Sequence, residues 1–238
     1  QERIPLFSEV LEVLGGRVPV IVGSGSNCTA TQVEKSIEYQ NMGADALLLI
    51  APYYNKANPE GMYRHFAETA DAVHIPCILY NVPGRTGCSI PVSVVEKLSK
   101  HPNIAGIKEA SGDMSYAMKI AHCIGPDFAL YSGNDDITVP LMSIGGSGVI
   151  SVYANVMPRM CHEIVADYLG GNQARAVENH LKYLKLMNDL FMEVNPIPVK
   201  AAMNLMGLNV GPMRLPLCEM TPEHTEALRR TLEEAGLL

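Results

Sequence analysis

Near-continuous apolar runs alternate with longer amphipathic stretches along the first two-thirds of the chain. The runs are rich in Val, Ile, Leu and Ala, and they do not alternate between apolar and polar residues. Such runs are typical of parallel strands that are covered on both faces. We therefore predict six strands: Pro19–Gly23, Ala46–Ala51, Cys77–Val82, Ile104–Lys108, Phe128–Ser132 and Gly148–Tyr153.

Stretches with helical spacing separate these strands and continue after the last one. The distance of roughly 20–30 residues from one strand to the next is what repeated βα units need. A helical pattern also covers residues 1–16, without a capping residue at its start. The other predicted helices are Thr29–Met42, Gly61–Val73, Pro91–Lys100, Met114–Ile124, Ile137–Ile144, Met157–Gly170, Asn172–Met192, Pro198–Met206 and Thr221–Ala235.

Six βα units are two fewer than a closed (β/α)₈ barrel needs. The alternative is an open, doubly wound sheet, but the Gly-rich phosphate loop that usually follows its first strand is not in the sequence. We predict an α/β fold, a (β/α)₈ TIM barrel lacking its first two strands in this chain, over residues 1–156. A C-terminal helical region follows over residues 157–238. Because two missing strands would leave open edges, we expect the chain from Gln1 to fold poorly by itself.

Composition and motifs exclude several classes of function. Eighteen Lys and Arg stand against 25 Asp and Glu without a basic run, which argues against a nucleic-acid partner. No apolar run approaches the ~20 residues of a membrane helix. Six scattered cysteines fit reduced, mostly buried thiols of a cytoplasmic protein. Phosphate-loop, zinc-protease and serine-hydrolase motifs are incomplete or missing, so we predict no metal site.

Lys108 is the strongest candidate for a catalytic residue, because it ends a predicted strand of the barrel. Period-two alternation puts Ile104, Gly106 and Lys108 on one face of that strand. Burial lowers the pKa of a lysine, and the neutral amine can attack a carbonyl to form a Schiff base. The alternative is a solvated lysine at the strand end, paired with Glu109.

Polar residues that follow two other strands are further candidates. Tyr80 ends a strand, where it could be half-buried packing or a proton donor beside an imine. Arg85 lies in the following loop as a surface arginine or as a bidentate clamp for a substrate carboxylate. Tyr53 and Tyr54 follow a third strand, where they could pack against neighbouring residues, form an interface or relay protons through their hydroxyl groups. Active sites of barrels are built at these strand ends.

Six motifs together resemble the dihydrodipicolinate synthase family, in the order and at the spacing of that family. GIKEASGD and YNVPGRTG are the most specific of them, because they are typical of the pyruvate-dependent class I aldolases. The resemblance covers the whole chain. The motifs are PYYN (52–55), YNVPGRTG (80–87), GIKEASGD (106–113), SGND (132–135), GVISV (148–152) and NPIPVK (195–200).

The resemblance implies roles for individual residues. Lys108 is similar to the Schiff-base lysine of the family, and Tyr80 to its proton-relay tyrosine. Tyr54 is similar to the relay tyrosine that reaches into the site of a neighbouring subunit. Arg85 resembles the residue that binds the carboxylate of the second substrate.

The family also implies substrates and an assembly. It condenses pyruvate with L-aspartate 4-semialdehyde in the diaminopimelate route to lysine, without a metal or an organic cofactor. Its members are homotetramers, dimers of dimers, of (β/α)₈ barrels with a C-terminal helical domain. Gly133 and Ile150 resemble positions that line the substrate site, Ile150 by contact with pyruvate.

Two departures from the family pattern are apparent. The family has a Gly-Thr-Thr-Gly-Glu loop after its second strand, and this sequence starts after the point where that loop would end. Lysine-inhibited members bind lysine through an asparagine and an acid four residues later; Asn27 matches, but Thr31 replaces the acid. Weak inhibition by lysine is therefore expected.

Two other functions remain open on the sequence. The first is another pyruvate-dependent aldolase, such as N-acetylneuraminate lyase or a 2-keto-3-deoxy sugar-acid aldolase. These enzymes share the lysine and the tyrosine but generally not the equivalent of Arg85. The second is a non-catalytic interaction protein that kept the barrel, which the presence of Lys108, Tyr80 and Arg85 argues against.

Overall fold

A computed structural model describes residues 2–238 of the chain, which form two compact units, the first ending at Tyr131 and the second spanning Ser132–Leu238. The strands are β1 (Ile21–Gly23), β2 (Ala46–Ile50), β3 (Cys77–Asn81), β4 (Ile104–Glu109), β5 (Ala129–Ser132) and β6 (Gly148–Val149). The helices are α1 (Arg3–Leu14), α2 (Thr29–Met42), α3 (Pro59–Asp71), α4 (Pro83–Thr86), α5 (Val92–Leu98), α6 (Met114–Ile120), α7 (Thr138–Met142), α8 (Pro158–Leu169), α9 (Gln173–Lys182), α10 (Leu184–Asp189), α11 (Ile197–Leu205) and α12 (Pro222–Glu234).

The first unit is built around parallel strands that are neighbours in the order of the chain. β2 pairs with β3 so that Ile50 lies opposite Tyr80, and β3 pairs with β4 so that Tyr80 lies opposite Lys108. The carboxyl ends of the three strands are therefore level. Parallel strands with helical connections confirm the predicted α/β class.

Apolar side chains fill the space between the strands and helices of this unit. Leu47, Leu49, Leu79 and Ile107 are fully buried, as expected for strands covered on both faces. Gly106 is required for the approach of β4 to β5, because a Cβ there would lie 2.4 Å from the carbonyl oxygen of Ala129. The glycine lies two residues before Lys108, so this close packing supports the end of β4.

The second unit contains β6 and the C-terminal helices. Its core is a cluster that includes Tyr153, Leu186, Leu190 and Leu232. At its start, the N–H of Ile150 donates to the carbonyl of Ser132 (2.8 Å). The predicted domain boundary between residues 156 and 157 stays a prediction.

Several predicted elements differ from those observed. The strand predicted to end at Tyr153 stops at Val149, because the carboxylate of Asp135 accepts hydrogen bonds from the N–H groups of Val152 and Tyr153 (3.0 and 2.9 Å) and draws the chain into a 3₁₀ turn. The helix predicted over Asn172–Met192 is two helices, α9 and α10, separated at Tyr183.

Two further expectations concern the surface and the start of the chain. The cysteines are not mostly buried: of the six, only Cys77 and Cys161 are. The helix predicted over residues 1–16 is observed as α1, and Gln1 lies outside the described residues. Within residues 2–238, no helix is both long and apolar enough to span a membrane.

Candidate active site

The strongest candidate site lies at the level carboxyl ends of β3 and β4. The Nζ atom of Lys108 lies 4.3 Å from the centroid of the Tyr80 ring. This distance is within the range of a cation–π interaction, which stabilises an ammonium group over the face of an aromatic ring. Sequence alternation predicts the inward face for Lys108, and the register places Tyr80 directly opposite it.

Tyr80 is half-buried and has a perturbed hydroxyl. Burial raises the pKa of Tyr80, and the positive charge of Arg85 opposes this rise. The phenol therefore keeps its proton at neutral pH, where it can donate a hydrogen bond or a proton. A neutral phenol beside an ammonium group is an arrangement that can move protons around an imine.

Glu109, the residue after Lys108, points to the other face of β4. Its side chain is buried; Oε2 accepts a hydrogen bond from Asn81 Nδ2 (2.7 Å), and Oε1 accepts one from the N–H of Ser111 (2.6 Å). Burial raises the pKa of Glu109, and the two hydrogen bonds act against this rise. The sequence pattern predicted Glu109 only as an alternative partner for Lys108. Its hydrogen bonds to Asn81 on β3 and to Ser111 in the next loop depend on strand register, which the sequence pattern does not show.

Arg85 lies in α4, a single turn of helix within the segment that the sequence predicts as a loop. Pro83 starts this turn, and Gly87 ends it in the left-handed conformation (φ 73°). Thr86 is buried and its hydroxyl donates to the carbonyl of Cys88 (2.7 Å), which fixes the loop below the exposed Arg85. The turn thus presents a guanidinium close enough to Tyr80 to influence its pKa.

Tyr54 projects from the loop after β2. Its side chain is 89% exposed, and its backbone has a positive φ of 72°. The loop is held at two points: the N–H of Tyr54 donates to the carbonyl of Thr86 (3.4 Å), and Asn55 Nδ2 donates to the carbonyl of Asn27 (2.8 Å). A rigidly held loop that exposes a tyrosine is suited to contact another molecule.

The remaining predicted site residues, Gly133 and Ile150, belong to the second unit. Gly133 follows Ser132, whose carbonyl accepts the hydrogen bond from Ile150, so these two residues lie near each other. Asp135, which the sequence analysis did not single out, is buried and holds the segment after Ile150 through two backbone N–H groups. No cluster of His, Cys, Asp or Glu with metal-binding geometry occurs in the described part of the chain.

Asn27 and Thr31 lie at the start of α2. The carbonyl of Asn27 accepts the hydrogen bond from Asn55, and Thr31 is half-buried in the first helical turn. Hydrogen bonds from the backbone and side chain of Thr31 lower the pKa of the neighbouring Cys28 thiol. Thr31 therefore lies within hydrogen-bonding reach of the Cys28 thiol.

Comparison with known proteins identifies the family of the chain. The sequence matches the model of the dihydrodipicolinate synthetase family over residues 1–235. It is 51% identical over 239 residues to 4-hydroxy-tetrahydrodipicolinate synthase of Thermoanaerobacter sp. (strain X514), covering 100% of this chain and 80% of the relative. The identity to the enzyme of the same name from Clostridium perfringens (strain SM101 / Type A) is 47%, covering 100% and 82%.

A solved structure extends the agreement to three dimensions. A monomeric dihydrodipicolinate synthase variant superposes with a TM-score of 0.97 at 41% identity, over 100% of this chain and 80% of that one. None of these relatives favours the alternative aldolases. On the match of the family model and the identity to its members, the chain belongs to the dihydrodipicolinate synthetase family.

Proposed function

We propose that the chain acts as a 4-hydroxy-tetrahydrodipicolinate synthase, which condenses pyruvate with L-aspartate 4-semialdehyde. The observation that carries the proposal is the position of the Lys108 ammonium group over the Tyr80 ring at the end of β4. The family and the activity named for its members supply the reaction. The alternative, cleavage of N-acetylneuraminate or a sugar acid, has no comparable support.

Lys108 is the proposed nucleophile. Its neutral amine attacks the ketone carbon of pyruvate; the oxygen leaves as water after taking up a proton from Tyr80, and an iminium ion forms. The iminium withdraws electrons, so the methyl group loses a proton and becomes the nucleophilic carbon of an enamine. That carbon attacks the aldehyde, and the amine of the second substrate then displaces Lys108 as the ring closes.

The other proposed roles follow from chemistry and exposure. Tyr80 relays the protons of these steps, and its raised pKa keeps a proton on the hydroxyl at neutral pH for donation. Arg85 binds the carboxylate of the semialdehyde from its exposed turn. Gly133 and Ile150 line the pyruvate site.

We also propose a homotetramer in which Tyr54 completes the site of a neighbouring subunit. The 89% exposure of Tyr54 on a loop held by Asn55 supports a subunit contact there. A monomeric variant exists among the structural relatives, so the assembly needs its own measurement by analytical ultracentrifugation. Cytoplasmic location stays a prediction.

The finer description of the fold is likewise a proposal: an eight-stranded barrel of which this chain carries the last six strands. Among the described residues β1 ends the strand order and pairs with β2 alone, which is the edge where further strands would pair. The chain covers 80–82% of the length of these relatives.

The experiment that tests the function combines trapping with kinetics. Borohydride reduction of the protein with pyruvate should give a covalent adduct on the peptide that contains Lys108, identified by mass spectrometry. Turnover should occur with aspartate semialdehyde and not with N-acetylneuraminate. An adduct on Lys119 or Lys200 instead, or cleavage of N-acetylneuraminate at a higher rate, contradicts the proposal.

Lysine should inhibit the enzyme weakly, because Thr31 offers no carboxylate to the amino group of lysine. Thr31→Glu should lower the half-maximal inhibitory concentration by roughly 10- to 100-fold, the value of one charged hydrogen bond. Ala30→Glu, which adds a carboxylate at the neighbouring exposed position, is the control and should have no such effect. Inhibition of the unmodified enzyme by micromolar lysine would refute this expectation.

A further inference from the structure

Asn81 and Glu109 form a buried pair immediately behind the candidate catalytic residues. Each follows one of those residues in the chain, Asn81 after Tyr80 and Glu109 after Lys108. The register places Tyr80 opposite Lys108 and Asn81 opposite Glu109. Because successive side chains of a strand point to opposite faces, one face carries the chemistry and the other carries this pair.

The pair satisfies its polar atoms with hydrogen bonds in three directions. Asn81 is 0% exposed and Glu109 is 1% exposed, and Asn81 Nδ2 donates to Glu109 Oε2 at 2.7 Å. Asn81 Oδ1 accepts from the N–H of Ile90 (2.9 Å), and Glu109 Oε1 accepts from the N–H of Ser111 (2.6 Å). The pair therefore connects β3, β4 and the loops that follow both strands.

Those two loops are the ones that shape the site. Ile90 ends the loop that carries Arg85, and its carbonyl accepts a second hydrogen bond from the hydroxyl of Tyr116 on α6 (2.7 Å). The N–H of Asp113 donates to the hydroxyl of Ser111 (3.0 Å), and the Asp113 carboxylate in turn accepts from two N–H groups in the first turn of α6. The Arg85 loop, β4 and α6 are thus joined through Glu109.

A carboxylate is a costly choice for this position. Asn81 and Ser111, which donate hydrogen bonds to this carboxylate, are both neutral, and burial raises the pKa of Glu109 despite them. Burial of a charged group is unfavourable unless its hydrogen bonds are complete. Only a side chain with two acceptor oxygens can receive Asn81 Nδ2 and Ser111 N–H together, which accounts for glutamate here.

We propose that the Asn81–Glu109 pair positions Lys108 against Tyr80 and holds the Arg85 loop at the distance the second substrate needs. Both are positioning residues, since they act through the residues beside them. This inference rests on the proposed function and extends it to the geometry of the site. It predicts effects on imine formation and on the KM for aspartate semialdehyde, in addition to any effect on folding.

The test reverses the polarity of the pair. Asn81→Asp alone brings two carboxylates together and removes the NH₂ donor between the strands. Glu109→Gln alone leaves one oxygen where there were two, so the side chain loses either the hydrogen bond from Asn81 Nδ2 or the one from Ser111 N–H. In the double variant N81D/E109Q, the glutamine NH₂ donates to the aspartate, and the acceptors for Ile90 and Ser111 remain. A misplacement of about 1 Å in the reacting groups can cost about 10²-fold in rate.

We expect each single variant to form the pyruvate imine about 10- to 100-fold more slowly and to have a raised KM for aspartate semialdehyde. The double variant should return to within about threefold of the unmodified enzyme in both quantities. Asn103→Asp is the control: Asn103 Nδ2 donates to the carbonyls of Ala70 and Val73 before the other end of β4, so its loss should lower the melting temperature without changing either quantity.

Three results overturn the inference. Single variants with unchanged imine rate and KM would do so, as would a double variant no better than the poorer single variant. Equal losses of imine rate and of affinity for aspartate semialdehyde in Asn103→Asp would show that the Asn81–Glu109 pair acts only through stability. These outcomes apply when the unmodified enzyme forms its adduct at Lys108; the lack of that adduct overturns the proposed function and this inference together.

Discussion

Lys108→Arg is expected to abolish covalent trapping of pyruvate and to reduce kcat by about 10⁴-fold or more, the scale on which removal of a catalytic nucleophile acts. Arginine keeps the positive charge and can still lie over the Tyr80 ring, but its guanidinium stays protonated and cannot attack a carbonyl. The change thus removes the nucleophile and keeps the cation. The measurements are the mass of the borohydride-reduced protein and steady-state turnover.

The structure offers a matched control for this variant. Lys97 lies over the ring of Tyr63 at 5.6 Å, a second pair of the same kind between α5 and α3. Lys97→Arg should leave trapping and turnover unchanged, because this pair is not at the strand ends. Full activity in Lys108→Arg would end the assignment of Lys108 as the nucleophile.

Tyr80→Phe is expected to slow turnover by about 10²–10⁴-fold while pyruvate can still be trapped on Lys108, because a positioned proton donor contributes on that scale. Phenylalanine keeps the aromatic face under the ammonium group and removes only the hydroxyl. The covalent step and the proton-transfer step are therefore separated by the two variants. Single-turnover kinetics and trapping yield measure them.

The pH dependence of this variant has a defined sign. Burial raises the pKa of Tyr80, so the hydroxyl is protonated at neutral pH. It is lost as a proton donor only when the pH rises above the ordinary pKa of a tyrosine. The alkaline limb of the kcat profile that Tyr80 causes should be absent in Tyr80→Phe. Tyr63→Phe is the control and should keep both rate and profile; a Tyr80→Phe variant with an unchanged rate would exclude a role in proton transfer.

Sequence patterns predicted the strands along the chain and the position of Lys108 near the end of one of them, because both depend on local periodicity. A near-continuous apolar run predicts a covered strand, and alternation within Ile104–Lys108 separates the face of the lysine from that of its neighbours. The roles of Tyr80 and Arg85 came from resemblance to a family. Geometry adds that Lys108 and Tyr80 lie side by side at the ends of β4 and β3, and that Arg85 on α4 is close enough to influence the pKa of Tyr80.

What the sequence could not predict depends on contacts between distant segments. Asn81 and Glu109 are 28 residues apart, and only the register of β3 with β4 brings them together. Asp135 shortens the last strand by accepting hydrogen bonds from residues 17 and 18 positions later. No local pattern indicates either partner, since a buried carboxylate and a surface carboxylate read alike in a sequence.

The contact between Lys108 and Tyr80 has a consequence for the distribution of charge through the proposed reaction. The aromatic face lies under a nitrogen that is an ammonium before the substrate binds and an iminium after the imine forms. Both ions are cations centred on the same atom, so the negative face of one ring can stabilise each in turn. The positive charge at Nζ is absent while the neutral amine attacks pyruvate, and again in the enamine, when the substrate carbon must become electron-rich. The site therefore needs no new counter-charge between its resting and its covalent state, which limits how far its surroundings must reorganise.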